Sequence, residues 1–257
     1  MVHQTVLLFD VAQPFSFYFF VFFGTMCSYN LHWYLTNEAA PAGASQKQTW
    51  HLQYKRVHLS LAATALLLAC IAAFYLLHHW AWLLVSAFFT FLYTAPKIPY
   101  WPFIKLRQIA YGKTVFLALA WMHITTMLTL LMADVQWQLP HYLFALNRFF
   151  LIYAICILFD LRDRENDRKE GIKSMITQMS APQVSLIYYG VLLVWLVTTA
   201  WLFFYFSAGV IVALAVPGLL LFFIYNWARQ QRSDYVYYFM LDGLMVISYP
   251  LMLLFQF

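Results

Sequence analysis

The sequence predicts an all-helical, polytopic membrane protein, and three observations lead to that fold class. Hydrophobic residues make up 64% of the 257-residue chain, and charged residues make up only 10%. Apolar runs of about the length that crosses a hydrocarbon layer, roughly 20 residues, recur along the whole chain. No polar block is long enough to form a soluble domain. We therefore expect a single transmembrane domain over residues 1–257.

Eight apolar runs have about the length of a membrane span. They cover residues 14–36, 57–77, 80–95, 111–132, 140–159, 183–206, 208–226 and 236–257. The loops after the first and fifth runs are the longest, and the loops after the third and seventh runs both follow a tyrosine. This weak internal repeat predicts two four-helix halves. Helical repeats of this kind commonly place their binding site where the halves meet.

Lysine and arginine are distributed unevenly among the loops. Fourteen of the fifteen lie in or beside the loops that follow the first, third, fifth and seventh runs. Positive charge accumulates in cytoplasmic loops, so we expect these loops to face the cytoplasm of an inner cell membrane, with both termini outside. The same bias explains the basic pI of about 9.0. No soluble basic domain is present that would indicate a nucleic-acid partner.

Five of the ten acidic residues lie within eleven consecutive positions, in the stretch ILFDLRDRENDRKEGIKSM. If the fifth span continues as a helix, Asp160, Asp163 and Asp167 lie within about 60° of one another on one face. Hard divalent cations prefer oxygen ligands, and Mg²⁺ is often held by one or two carboxylates together with substrate phosphates. The alternative is a solvated helix end, in which pairs such as Asp160 with Arg164 balance the charge. Periodicity alone does not decide between the two.

A family resemblance favours the metal site. The stretch DLRDRENDRKEGIKSM resembles the second aspartate-rich motif of the UbiA superfamily of intramembrane prenyltransferases. FLYTAPKIPYWPFIKLRQIAYGK is similar to the basic loop of that family, and MLDGLMVISYP is similar to its last helix. The resemblance implies a helical protein that binds an isoprenyl diphosphate through magnesium. Such a protein transfers the prenyl group to an aromatic or other lipophilic acceptor.

The resemblance also implies roles for individual residues. Asp160, Asp163 and Asp167 would hold Mg²⁺ and act as the catalytic carboxylates. Four basic residues would bind and neutralise the diphosphate: Lys97, Lys105, Arg107 and Lys173.

The first aspartate-rich motif departs from the family pattern. It is expected in SYNLHWYLTNEAAP, where Asn30 matches but Leu31, Tyr34 and Glu38 occupy the three aspartate positions. Much of the stabilisation of a departing diphosphate is therefore lost, and we expect slow turnover or none. Asn30 and Glu38 would support this half of the substrate site. The alternative is a catalytically silent relative that binds a prenyl lipid, a quinone or a partner membrane protein.

The number of spans also differs from the family. Nine spans are usual, whereas the sequence has room for eight. We expect either that an N-terminal helix has been lost or that the start codon is assigned late.

Overall fold

The structure is a computed structural model that describes residues 1–36, 46–98, 100, 103, 112–169, 174–231 and 233–255. Every regular element in these ranges is a helix. In chain order the helices are α1 (Val2–Phe9), α2 (Phe15–Leu35), α3 (Gln46–Gln53), α4 (Lys55–Phe74), α5 (Trp80–Thr94), α6 (Gly112–Met122), α7 (Leu139–Lys169), α8 (Met175–Gln178), α9 (Ala181–Leu202), α10 (Ala208–Ala228), α11 (Asp242–Leu244) and α12 (Ser248–Phe255).

Shorter helical turns connect or extend several of these helices. Turns of 3₁₀-helix flank α5 at Leu77–His79 and Ala95–Lys97. A π-helical turn at His123–Met127 carries α6 into a last α-helical turn at Leu128–Leu131. Another π-helical turn, Val236–Leu241, precedes α11.

Six helical segments in the described ranges are long and apolar enough to cross a membrane. They are Lys55–Phe74, Thr114–Leu131, Leu139–Glu165, Ala181–Leu202, Ala208–Ala228 and Val236–Phe255. A shorter apolar stretch covers Leu77–Leu92, and the 21-residue α2 lies on the first predicted run. Each of the eight predicted runs thus falls on helical structure. The predicted class, a polytopic helical membrane protein, is confirmed.

The chain forms two compact units, one of residues Ala12–Arg107 and the other of Met1–Val11 with Gln108–Phe257. The internal repeat assigns the fourth predicted run to the first four-helix half. In the structure this run belongs to the unit that contains Gln108–Phe257, because α6 packs against α7. The sequence repeat is a property of loop lengths, whereas the units follow from side-chain packing between helices. The single domain over residues 1–257 stays a prediction.

In the Ala12–Arg107 unit, the main packing joins α2 to α4. The buried face of α4 is made of small residues together with His58. The small residues recur at helical spacing: Ala62, Ala65, Ala69 and Ala72. Small side chains let two membrane helices approach closely, which maximises van der Waals contact where water supplies no driving force. The opposite side of α4 carries exposed leucines such as Leu66 and Leu67, as expected of a surface that faces lipid.

In the other unit, α7 is the central helix. Eight consecutive residues, from Leu151 to Leu158, are all buried, and α7 packs against both α6 and α9. A helix that is buried on all sides lies in the interior of its bundle. The position of α7 therefore determines where the acidic stretch at its end is held.

Two buried polar contacts join α7 to its neighbours at the end remote from the acidic stretch. Asn147 donates hydrogen bonds to the hydroxyls of Thr199, at 2.7 Å, and Thr198, at 3.2 Å, on α9. Arg148 donates to the side-chain oxygen of Gln4 on α1 at 2.7 Å, and its guanidinium lies 4.9 Å from the centre of the Phe144 ring. Polar side chains within a membrane bundle are stable when they bond to one another in this way.

Candidate functional site

The three aspartates of the acidic stretch lie on one continuous helix. The sequence predicts a shared face only if the fifth span continues as a helix through these residues. It does, because α7 runs without a break to Lys169. Asp160, Asp163 and Asp167 follow the buried apolar run of residues 151–158, near the end of the candidate membrane span Leu139–Glu165. Helical spacing of three and four residues then places their carboxylates on one side of α7.

Asp160 is fixed by a contact with the preceding helix. Its side chain is buried, and one of its carboxylate oxygens accepts a hydrogen bond from the hydroxyl of Thr114, in the first turn of α6. The sequence-based alternative paired Asp160 with Arg164, but Arg164 instead donates to the carbonyl oxygen of Met179. The first carboxylate is therefore oriented by the hydroxyl of a residue on the preceding helix.

Asp163 is held by a cation that also joins α7 to the last helical segment. The guanidinium of Arg162 binds both carboxylate oxygens of Asp163, at 2.8 and 3.3 Å. The same guanidinium donates to the hydroxyl of Tyr238 at 3.0 Å and lies 3.9 Å from a carboxylate oxygen of Asp234. It also lies 4.7 Å from the centre of the Tyr237 ring. Part of the charge of Asp163 is thus neutralised within the protein.

Asp167, one turn further along α7, has a buried side chain that is only 6% exposed. After α7 the chain packs back against that helix through α8, whose first turn is capped by Ser174. Arg168 supports this return because it donates two hydrogen bonds, at 3.1 and 3.2 Å, to the carbonyl oxygen of Thr177. Lys173, predicted to bind diphosphate, lies outside the described residues.

The donor set fits one kind of Mg²⁺ site. Among the residues that the structure describes, no three His, Cys, Asp or Glu side chains are close enough to hold a metal ion by themselves. Mg²⁺ commonly requires only one or two protein carboxylates when phosphate oxygens and water complete its octahedral shell. The carboxylates in series on α7 match that arrangement. They do not match a cage formed by protein ligands alone.

The position of the first motif is occupied by a chain of polar side chains in the other unit. The side-chain oxygen of Asn30 and Nδ1 of His58 are 2.8 Å apart. Nε2 of His58 and Nδ1 of His51 are also 2.8 Å apart. His51 stacks on Trp33, with ring centres 3.8 Å apart, and the amide nitrogen of Asn30 donates to the carbonyl oxygen of Met26 at 2.8 Å. Both ends of the Asn30 amide are therefore engaged within the unit.

The remaining predicted residues are partly described. Lys97 is half-buried in the turn after α5. Glu38, Lys105 and Arg107 lie outside the described residues.

Several residues of these two clusters were missed by sequence reasoning. Arg162 was seen only as part of a charge run, and the contribution of Tyr238 comes from 76 positions further along the chain. His51 and His58 are seven residues apart, a spacing typical of one helix face, but they lie on separate helices, α3 and α4. No spacing rule links either histidine to Asn30.

A comparison with known protein families identifies the chain's relatives. The model of the UbiA prenyltransferase family matches residues 51–241, a range that contains α7 and all three aspartates. The match begins after Asn30 and Glu38, so it does not include the altered first motif. No curated protein and no solved structure matches the chain. Because the matched range is well over half of the sequence, the chain belongs to the UbiA prenyltransferase family.

Proposed function

We propose that this protein binds an isoprenyl diphosphate together with Mg²⁺ and transfers the prenyl group to a lipophilic acceptor of the aromatic or quinone type. One observation carries the proposal. Asp160, Asp163 and Asp167 lie in series on a continuous helix, where its membrane-spanning part ends, in a member of the UbiA prenyltransferase family. Carboxylates at the end of a membrane span place a metal and a polar diphosphate where a prenyl chain can extend into apolar surroundings.

Each aspartate has a part in holding the charged end of the substrate. Bound Mg²⁺ would neutralise the diphosphate and stabilise the negative charge that develops on it as a leaving group. Thr114 orients Asp160 through its hydroxyl, and Arg162 orients Asp163 through two hydrogen bonds. Asp167 supplies a carboxylate from a buried position, where its interaction with a cation is weakly screened.

Basic side chains would complete the diphosphate site. The proposed set is Lys97, Lys105, Arg107 and Lys173, with Asn30 and Glu38 as the remainder of the first motif. Lysines and arginines can bind phosphate oxygens that the metal leaves free. We place the charged loops in the cytoplasm of an inner membrane, on the basis of the lysine and arginine bias. The diphosphate would then enter from the cytoplasm.

A second candidate function is binding without transfer, and the first motif favours it. Leu31 and Tyr34 cannot ligate Mg²⁺ as aspartates do, and the Asn30 amide already bonds to His58 and to a backbone carbonyl. A protein with one intact metal-binding motif could retain a prenyl lipid or a quinone, or bind a partner membrane protein.

The experiment that tests both candidates is incubation of the purified protein with radiolabelled isoprenyl diphosphates of several chain lengths and a lipid extract. A labelled lipid product that requires Mg²⁺ supports transfer. Retention of the diphosphate that requires Mg²⁺ but yields no product supports binding alone. If the protein neither retains nor consumes any of the diphosphates, the proposal is wrong.

A further inference from the structure

A cavity lies at the charged ends of α7, α9 and α10, apart from the aspartate face. It has a volume of about 260 Å³ and is lined by Arg164, Glu165, Ala181, Tyr225 and Arg229, among others. Of the α7 residues that line it, Leu161 and Glu165 lie about 100° and 140° around the helix axis from Asp160, and Arg164 lies about 40° from Asp160. None of the three aspartates lines the cavity. The cavity is therefore a separate site from the proposed diphosphate site.

Two guanidinium groups give this cavity its chemistry. Arg164 uses one terminal nitrogen to bind the carbonyl oxygen of Met179, while its Nε is buried and has no hydrogen-bond partner. Arg229 lies 5.5 Å from the centre of the Tyr225 ring. Within the described part of the chain, the recorded ion pairs belong to Arg162, and neither Arg164 nor Arg229 is paired with a carboxylate. A buried N–H without an acceptor is costly, and an anionic oxygen would satisfy it.

The balance of charge selects the kind of anion. Two arginines and Glu165 leave the cavity with one net positive charge. The positive end of the α9 dipole adds to it, because Ala181 is the first residue of that helix. A phosphodiester carries one negative charge and matches this balance. An isoprenyl diphosphate carries more negative charge and would require a metal ion or further cations.

An aromatic surface continues from the cavity along α9 and α10. The Tyr189 ring lies 5.3 Å from Tyr225, which lines the cavity, and 5.6 Å from Phe222, one turn further along α10. Phe222 is 51% exposed, and its neighbour Phe223 is also exposed. Exposed aromatic rings on membrane-spanning helices lie against lipid chains. An anion bound in the cavity could therefore carry an acyl chain along this surface.

We propose that this cavity is a headgroup site for an anionic phospholipid, with the phosphodiester bound between Arg164 and Arg229 and an acyl chain along Tyr189 and Phe222. Basic pockets between membrane helices bind the phosphates of lipids by the same chemistry. The site does not depend on the proposed transferase activity.

The test is titration of the purified full-length protein in detergent with phosphatidylglycerol, with bound lipid counted by native mass spectrometry. EDTA is present, so that Mg²⁺-dependent binding at the aspartates does not contribute. Arg164→Gln and Arg229→Gln should each weaken phosphatidylglycerol binding about tenfold, as the loss of one charge-assisted hydrogen bond predicts. Arg229 is exposed, so its variant removes a charge without disturbing buried packing.

The matched control is Arg168→Gln, which removes a positive charge one turn away on α7 from a residue that does not line the cavity. It should change phosphatidylglycerol binding less than twofold. If Arg168→Gln weakens binding as much as the other two variants, general surface charge is responsible and the proposal is overturned. Displacement of the lipid by inorganic phosphate at an equal concentration would show a free-anion site and would overturn the lipid assignment. Equal binding of net-neutral phosphatidylcholine would contradict the charge balance.

Discussion

Asparagine substitutions at Asp163 and Asp167 should weaken Mg²⁺-dependent diphosphate binding to different extents, because the two carboxylates have different surroundings. Asp167 is 6% exposed, so its interaction with a cation is screened little by water. Unit charges about 4 Å apart at an effective dielectric constant near 20 interact by about 4 kcal/mol. If the loss of ligand hydration offsets half of this energy, Asp167→Asn costs about 2 kcal/mol, or roughly 30-fold in Kd.

Asp163→Asn should have a smaller effect. The Asp163 side chain is 35% exposed and already shares its charge with Arg162 at 2.8 Å. Removing the Asp163 charge also leaves the positive charge of Arg162 less neutralised, although Arg162 still contacts Tyr238 and Asp234, and this charge favours an anionic ligand. A contribution near that of a partly exposed ion pair, about 1 kcal/mol, corresponds to roughly a fivefold rise in Kd.

The assay is equilibrium binding of a non-hydrolysable isoprenyl diphosphate analogue to purified protein, with and without Mg²⁺. The variant Glu165→Gln is the control, because Glu165 lies about 140° around α7 from Asp160 and should leave this binding nearly unchanged. If the aspartates acted only as general surface charge, each neutral variant would bind the anionic analogue more tightly. Unchanged affinity of Asp167→Asn in the presence of Mg²⁺, with thermal stability preserved, would refute the metal-site reasoning.

Two further predictions concern topology and packing. The first uses single cysteines in a cysteine-free background and an impermeant thiol reagent added to intact cells. A cysteine at exposed Gln136 should react, whereas one at exposed Gln178 should be protected. Labelling at position 178 from outside would reverse the proposed orientation. In the second, Gly218→Ala should lower the thermal midpoint of unfolding by several degrees. The new Cβ would lie 2.4 Å from the ring of buried Trp195. Overpacking of this kind lowers the free energy of unfolding by about 1–3 kcal/mol. Gly190→Ala, with open space around its Cβ, is the control, and an equal loss of stability in both variants would contradict the packing argument.

The positions of the membrane helices could be predicted from the sequence because the signal is local. A run of apolar residues fixes a spanning helix whatever its neighbours are, since backbone polar groups in lipid must bond within the segment. The shared face of Asp160, Asp163 and Asp167 is equally local, because it follows from rotation about a single helix axis. Family membership was also within reach, since the second aspartate-rich motif is contiguous in the sequence and the family match includes it.

The partners of those residues could not be predicted from the sequence. The contact of Asp160 with Thr114 spans 46 positions, and the contact of Arg162 with Tyr238 spans 76. The sequence instead suggested Asp160 with Arg164, a pair that spacing allows but packing does not form, because Arg164 donates to the carbonyl oxygen of Met179.

The sequence by itself therefore determined the membrane-spanning helices, the acidic face of α7 and the loss of aspartates from the first motif. Each of these features depends only on residues that are close together in the sequence. Tertiary structure alone decided which cation holds Asp163, how His58 engages Asn30, and that Arg164 and Arg229 line one cavity. The physical reason is that helical periodicity fixes the face on which a side chain lies. The partner that this face meets depends on how whole helices pack together, and packing is set by many side chains that are distant in the sequence.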